Sequence, residues 1–262
     1  MRTTVRDLGV AVVSGASGGI GRAIAAKLCD DGYTVIMLGR DRRNLDAACA
    51  TMGGEGEGLR IAAGNMESDA AIAELVAANG GDDIVALVHA AGSGSVARLA
   101  ATTEATWQEV FEGKLFTAVR LVRALAPKMR RPSPAGIVFV DGVFAYQPDP
   151  HFVINSAVNC ALAGFAKAIA RDFIRDGIRV NVVHPGVTDT DLWHQVADEI
   201  APHLNLTGGE AVTAAIAASL LGGRITAPED IADTVSFLLS QSARHITGVS
   251  ITVDGGEIRN LV

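Results

Sequence analysis

Apolar residues gather in seven short runs along the chain: Val10–Val13, Thr34–Leu38, Leu59–Ala63, Ile84–His89, Ile137–Val140, Arg179–Val183 and Ser250–Val253. Most are continuous rather than alternating, which is the pattern of parallel strands covered on both faces. Between them lie longer stretches with apolar residues at helical spacing. These are Ile20–Asp30, Asn44–Met52, Ala70–Ala78, Thr106–Met129, Asn155–Arg175 and Glu229–Leu239. The alternation predicts an α/β fold: a doubly wound parallel sheet of about seven strands, helices on both faces and right-handed crossovers. No change of composition divides the chain, so residues 1–262 are read as one domain.

Two segments break the alternation. Gly53–Gly58 reads as a flexible turn. Residues 189–227 form a long mixed insertion with Trp193, His194, Pro202 and a Gly208–Gly209 break. Such an insertion is expected to be a lid or substrate wall, the alternative being a surface excursion without a ligand role.

The chemistry begins at Val12–Gly21, VVSGASGGIG, where a strand gives way to a helix through a glycine turn. Glycine permits positive φ and lets the backbone approach a diphosphate closely. The N–H groups of the new helix point at that anion. Between a strand and a helix, this spacing is the context of dinucleotide binding, so a Rossmann-like sheet is expected. The second strand ends TVIMLGRDRR. Gly39 stands where an acid for the ribose 2′-hydroxyl is expected, and Arg40 follows. A guanidinium fork suits a 2′-phosphate, so NADP(H) is favoured over NAD(H), with Asp41 the alternative acid one residue on.

Composition narrows the partners. The net charge is −7 with no basic run, which argues against nucleic acid or an anionic membrane. The N-terminus lacks a signal-peptide layout, and no apolar stretch is expected to span a bilayer. Cys29, Cys49 and Cys160 are odd in number and show no CxxC spacing, as expected of reduced thiols in a cytoplasmic protein. No group of side chains has metal-ligand spacing.

These motifs resemble the short-chain dehydrogenase/reductase family over nearly the whole length. Ser14–Gly21 resembles its TGxxxGIG loop, and His89–Gly92 (HAAG) its NNAG motif. Asn181–Thr190 (NVVHPGVTDT) resembles its N-x-V-x-P-G-x-x-x-T segment. Gly223–Ala232 and Thr247–Gly256 resemble its C-terminal signature. The resemblance implies that Gly15, Ser17, Gly19 and Ile20 line the pyrophosphate and that Arg40 holds the 2′-phosphate. It implies that Asn65 faces the adenine, Ala91 and Gly92 pass the ribose, and Pro185, Gly186, Val187 and Thr190 seat the nicotinamide. It also implies a homodimer or homotetramer through the two long helices.

The family's acid/base group is Tyr-x-x-x-Lys on a helix, with a preceding Ser and an Asn from the earlier long helix. Alignment places Asn155 at the tyrosine, Asn159 at the lysine, Gly142 at the serine and Lys114 at the asparagine. An amide donates a hydrogen bond but gives up no proton near neutral pH. Replacement candidates are Tyr146 after the fifth strand, Lys114 in the space of the missing lysine, and Asp141 or His151 as a base. Tyr33 lies away from the site, and His89 and His184 are expected to pack or touch cofactor. Three readings follow. The first is an atypical NADP(H)-dependent oxidoreductase acting on a small carbonyl or alcohol substrate. The second is a non-catalytic NADP(H)-binding protein or partner subunit. The third is a non-redox dehydratase, isomerase or cyclase reusing the pocket.

Overall fold

The computed structural model describes residues 8–56, 58–81, 84–92, 96–129 and 135–259. The N-terminal residues 1–7 and Glu57 of the expected glycine turn lie outside them. Seven strands form one sheet: β1 (Val10–Ser14), β2 (Thr34–Gly39), β3 (Leu59–Ala63), β4 (Ile84–His89), β5 (Gly136–Val140), β6 (Arg179–Pro185) and β7 (Ser250–Val253). Their order is β3-β2-β1-β4-β5-β6-β7, and every pairing is parallel. The continuous apolar runs have a direct cause. Neighbours on one strand point to opposite faces, so Val12, Ile36 and Leu87 enter one core while Val13, Met37 and Val88 enter the other.

The described residues hold nine α-helices, of which α7 and α8 pack on each other away from the sheet faces: α1 (Gly19–Asp31), α2 (Arg42–Ala50), α3 (Asp69–Ala78), α4 (Glu104–Phe111), α5 (Thr117–Leu125), α6 (Val153–Asp172), α7 (Asp191–Ile200), α8 (Gly209–Ala217) and α9 (Pro228–Leu239). Side-chain caps fix several starts: Asp41 accepts from Arg43 N, Ser68 from Ala71 N and Thr190 from Trp193 N. Gly32 ends α1 at φ 102°.

The long helix expected over Thr106–Met129 is not continuous. A π-helical turn, Glu112–Phe116, separates α4 from α5, and a 3-10 turn carrying Pro127 ends the run. The insertion at 189–227 is largely helical rather than irregular, being built of α7, α8 and short 3-10 turns. One expectation needs correction. The segment Val153–Asp176 is long and apolar enough, by length and composition, to cross a membrane. In the fold one face of it (Leu162, Ala166 and Ala170) packs into the core beneath the sheet. The strands run outward from β1 to β3, then cross back to β4. The carboxyl ends of β1 and β4 therefore open a crevice at a topological switch point.

Candidate active site

The glycine turn fills that crevice. Gly15 adopts φ 75°, and a Cβ there would stand 2.5 Å from Ala91 N. Only a residue without a side chain lets the turn lie on the end of β4. A Cβ on Gly19 would meet Thr190 Cγ2 at 2.7 Å. No side chain caps the start of α1, and no acid stands in its first turn. Its first N–H groups therefore remain available to an anion. Beside the turn, His89 Nε2 donates to Lys114 O at 2.9 Å, which makes Nδ1 the acceptor for Ser14 Oγ at 2.7 Å. Burial pushes this imidazole down to about 4, so it is neutral.

At the end of β2, Arg40 is exposed and makes no ion pair with any described residue. Asp41 accepts from Arg43 N at 2.9 Å and Asn44 N at 3.4 Å. Arg42 is engaged with Asp46 and Glu55, each at 2.8 Å. Asn65, past β3, turns back to accept from Glu67 N at 2.7 Å.

From the glycine turn a cavity of about 480 Å³ runs past the end of β4 and under α7 and α8. Gly19, Ile20, Ala91, Gly92, Pro185, Gly186, Val187 and Thr190 line it, as do Lys114, Asp141, Asn155 and Asn159. Gly15, Ser17, Arg40 and Asn65 lie outside the cavity on the strand ends that continue the crevice.

Lys114 is the focus of the polar end. The π turn gives the helix an extra residue there and turns the lysine inward, where its side chain is only 10% exposed. The stem passes Gly92, where even a bare Cβ would stand 3.5 Å from Lys114 Cδ. Its Nζ donates to Asn159 Oδ1 at 2.6 Å and to Asp141 O at 3.1 Å. The same Nζ stands 2.9 Å from the Asp141 carboxylate, close in distance but not aligned as a hydrogen bond. The Asp141 side chain is fully buried. Burial raises its pKa to about 6, and Lys114 opposes that shift.

Below the carboxylate lies His184, with Nδ1 3.4 Å from Asp141 Oδ2 and 3.1 Å from Gly142 O. A carbonyl only accepts, so Nδ1 carries the proton and Nε2 is a buried acceptor with no partner among the described residues. Burial holds this ring down to about 4. Asn159 Nδ2 donates to Gly142 O at 3.3 Å, and a Cβ on Gly142 would meet that nitrogen at 2.7 Å.

The family description "Enoyl-(Acyl carrier protein) reductase" matches residues 15–257, which span every residue lining the cavity. Dehydrogenase/reductase SDR family member 4 from Bos taurus is 32% identical, the match covering 97% of this chain and 89% of that one. The chain belongs to the short-chain dehydrogenase/reductase family. Its fold is shared with L-sorbose reductase from Gluconobacter frateurii, solved with NADPH and L-sorbose. That protein is 30% identical with a TM-score of 0.85, over 98% of this chain and 100% of that one. A short chain oxidoreductase from Pseudomonas aeruginosa PAO1, described as containing an atypical catalytic center, is equally similar: 30% identity, TM-score 0.85, 97% and 100% coverage.

Within this short-chain dehydrogenase/reductase, the remaining predicted residues are placed as follows. Tyr146 is not among the lining residues; its ring packs edge-on against His184, centroids 4.7 Å apart. His151 lines the mouth, accepting from Arg98 and standing 3.3 Å from Asp149 Oδ1. Tyr33 lies at the far end of β2, packed on the core. The sequence reading missed Glu257. It lines the cavity and its Oε2 accepts from Val187 N at 2.8 Å, with burial raising its pKa. Nothing in its local sequence, a glycine turn after β7, marks it; only the return of the tail across the β6 end does. The Phe144–Phe152 stack, centroids 4.6 Å apart, was also missed, because neither ring belongs to a periodic run.

Proposed function

We propose that the chain is an NADP(H)-dependent oxidoreductase acting on a carbonyl or alcohol, with a non-standard active site centred on Lys114. The observation that carries this reading is the placement of a buried ammonium in the cavity that begins at the glycine turn. At the sites where the family has its tyrosine and lysine stand Asn155 and Asn159, and Asn159 holds Lys114 directly. Lys114, from the π turn, thus brings an ammonium within 2.6 Å of the side chain that aligns with the family's lysine. The atypical catalytic center ascribed to the Pseudomonas relative supports such a departure within this family.

The cofactor would be held by chain groups already described. Gly15, Ser17, Gly19, Ile20 and the uncapped start of α1 take the pyrophosphate. Ala91 and Gly92 pass the ribose, Asn65 faces the adenine, and Pro185, Gly186, Val187 and Thr190 seat the nicotinamide. Asp41 is engaged in capping α2, which leaves Arg40 as the group facing the ribose 2′-position, and this favours a phosphate there. Bound there, a nicotinamide would supply a hydride to a carbonyl carbon when reduced, or accept one from an alcohol carbon when oxidised.

The chain's own part is positioning and charge. The buried Lys114 cation favours the negative charge that develops on the reacting oxygen, in a site where water screens little. Its donors are shared with Asp141 and Asn159, so it acts by its field and fixed position rather than by releasing a proton. Asn155 lines the cavity with Lys114. The proton then comes from water or from the substrate's own hydroxyl. General acid–base catalysis is worth about 10²–10⁴-fold, and orientation makes good that loss. Exposed Cys160, Gly164 and Ala168 on α6, with Phe116 after α4, support self-association through the two long helices. The unpaired cysteines support a cytoplasmic setting.

Titration with NADPH and NADH, followed by NADPH oxidation across a carbonyl panel, tests the reading. Tight NADPH binding with turnover is expected. NADPH binding without any turnover would make the chain a binding protein, and product formed with no change in nicotinamide absorbance would make it a non-redox enzyme.

A further inference from the structure

The far arm of the cavity has a different character from its polar end. It is walled by Val196 and Ile200 of α7, Val212 and Ile216 of α8, and the stacked pair Phe144 and Phe152. These six side chains are all apolar and belong to one packed cluster. The polar groups near it are occupied with one another. Trp193 Nε1 donates to Thr213 Oγ1 at 2.9 Å, which also ties α7 to α8. Asp198 Oδ1 accepts from Gly209 N at 2.8 Å at the same junction. At the mouth, Asp149 accepts from His151 N at 2.7 Å, His151 Nε2 accepts from Arg98 at 3.1 Å, and Gln147 Oε1 accepts from Arg259 N at 3.2 Å.

We infer that the substrate carries its carbonyl on an extended apolar body, an alkyl or alicyclic ketone or the matching secondary alcohol, and not on a polyhydroxylated chain. This deepens the proposed function and rests on it for the position of the reacting carbon. A hydroxyl placed in this arm loses its water and gains no partner, which costs far more than an added methylene contributes. An apolar body instead fills the arm with its polar carbonyl directed to Lys114 and Asn155. Val196, Ile200, Val212 and Ile216 then determine specificity through the length and width of that body.

The test uses the full chain saturated with NADPH and a homologous series: methyl propyl, methyl pentyl and methyl heptyl ketones, with L-sorbose as the hydroxylated ketone. Binding is read by isothermal titration and turnover by NADPH oxidation. Affinity is expected to rise about four-fold per added methylene, the effect of a buried CH₂, while L-sorbose stays unbound at millimolar concentration. Ile216→Ser and Val196→Ser, both on half-buried wall positions, are expected to flatten the series while NADPH affinity is retained. A flat series in the wild-type protein, or tighter binding of L-sorbose than of methyl heptyl ketone, overturns the inference. Graded ketone binding without NADPH oxidation leaves the inference standing and refutes the oxidoreductase reading; oxidation preferring L-sorbose does the reverse.

Discussion

Replacing Lys114 with Met keeps the apolar stem and removes the ammonium, and the structure sets the size of the response. In the native protein burial already holds Asp141 at about 6 against an ordinary 3.8, equivalent to about 3 kcal/mol against folding at neutral pH. Without Lys114 the carboxylate has no cation beside it, and it escapes by taking up a proton. At pH 7 that raises its opposition to folding by about 1 kcal/mol beyond the native value. The buried acceptor Asn159 Oδ1 and the part-buried Asp141 O lose their donor as well, at ~1–3 kcal/mol for the first and the lower end of that range for the second. The variant is expected to lose about 4 kcal/mol in urea unfolding at pH 7.

The sharper signature is in the slope. A folded-state pKa raised above the unfolded one means that the folded protein holds the extra proton. Stability from this group is greatest in acid and falls as pH rises through the window between the two values. In the native protein that fall is complete near pH 6. In Lys114→Met it continues above pH 6, at up to about 1.4 kcal/mol per pH unit. Urea midpoints across that range measure it, and Lys114→Met/Asp141→Asn is expected to be flat again. Equal slopes for the native protein and the single variant would show that Lys114 does not hold the ionised form of Asp141, and the account of the site would fall.

Other outcomes follow from the same geometry. On the proposed cofactor reading, Arg40→Glu is expected to weaken NADPH by roughly 10–100-fold and to spare NADH, as measured by fluorescence titration, since the proposed charge-assisted contact to the 2′-phosphate would be lost. Gly19→Val puts a branched side chain where Thr190 Cγ2 already stands 2.7 Å from a bare Cβ; NADPH binding should drop at least ~10-fold while circular dichroism stays native. Acidification from pH 6.5 to 4 should cost about 3 kcal/mol net, because His89 and His184 are both held down to about 4 and must charge, while Asp141 offsets one of them. His89→Gln should remove the His89 share of that acid loss in pH-dependent urea unfolding. Tyr146→Phe keeps the ring against His184 and should leave kcat within about three-fold; a hundred-fold fall would make its hydroxyl the proton donor.

The sheet was readable in the sequence because its strands are covered on both faces. Val12 and Val13 enter different cores, so the run is apolar at every position, and a parallel sheet is the arrangement that demands this. The glycine turn was readable for a steric reason, since Gly15 and Gly19 touch Ala91 and Thr190 where any side chain would collide. The interruption after Phe111 was not readable. Apolar spacing through Glu112–Phe116 is consistent with an ordinary helix, and the bond from His89 of β4 to the Lys114 carbonyl inside the π turn leaves no local pattern. Glu257 was hidden because its role comes from the tail returning over Val187, a contact between positions 70 apart. Lys114 was legible as a residue out of place, but its grip on Asn159 and Asp141 was not, because pairings across α4, α5, β5 and α6 leave no local pattern.

The extra residue in the turn at Glu112–Phe116 works as a phase shifter. Each helical residue advances the direction of the next by about 100°, so deleting one residue from the turn would leave α5 on its bed and swing the ammonium out toward solvent. The charge at the heart of the cavity is thus tuned by a count along the backbone as well as by the identity of a side chain. A chain one residue shorter here would keep its sheet, its glycine turn and its crevice, and would leave the Asp141 carboxyl in the pocket without its cation.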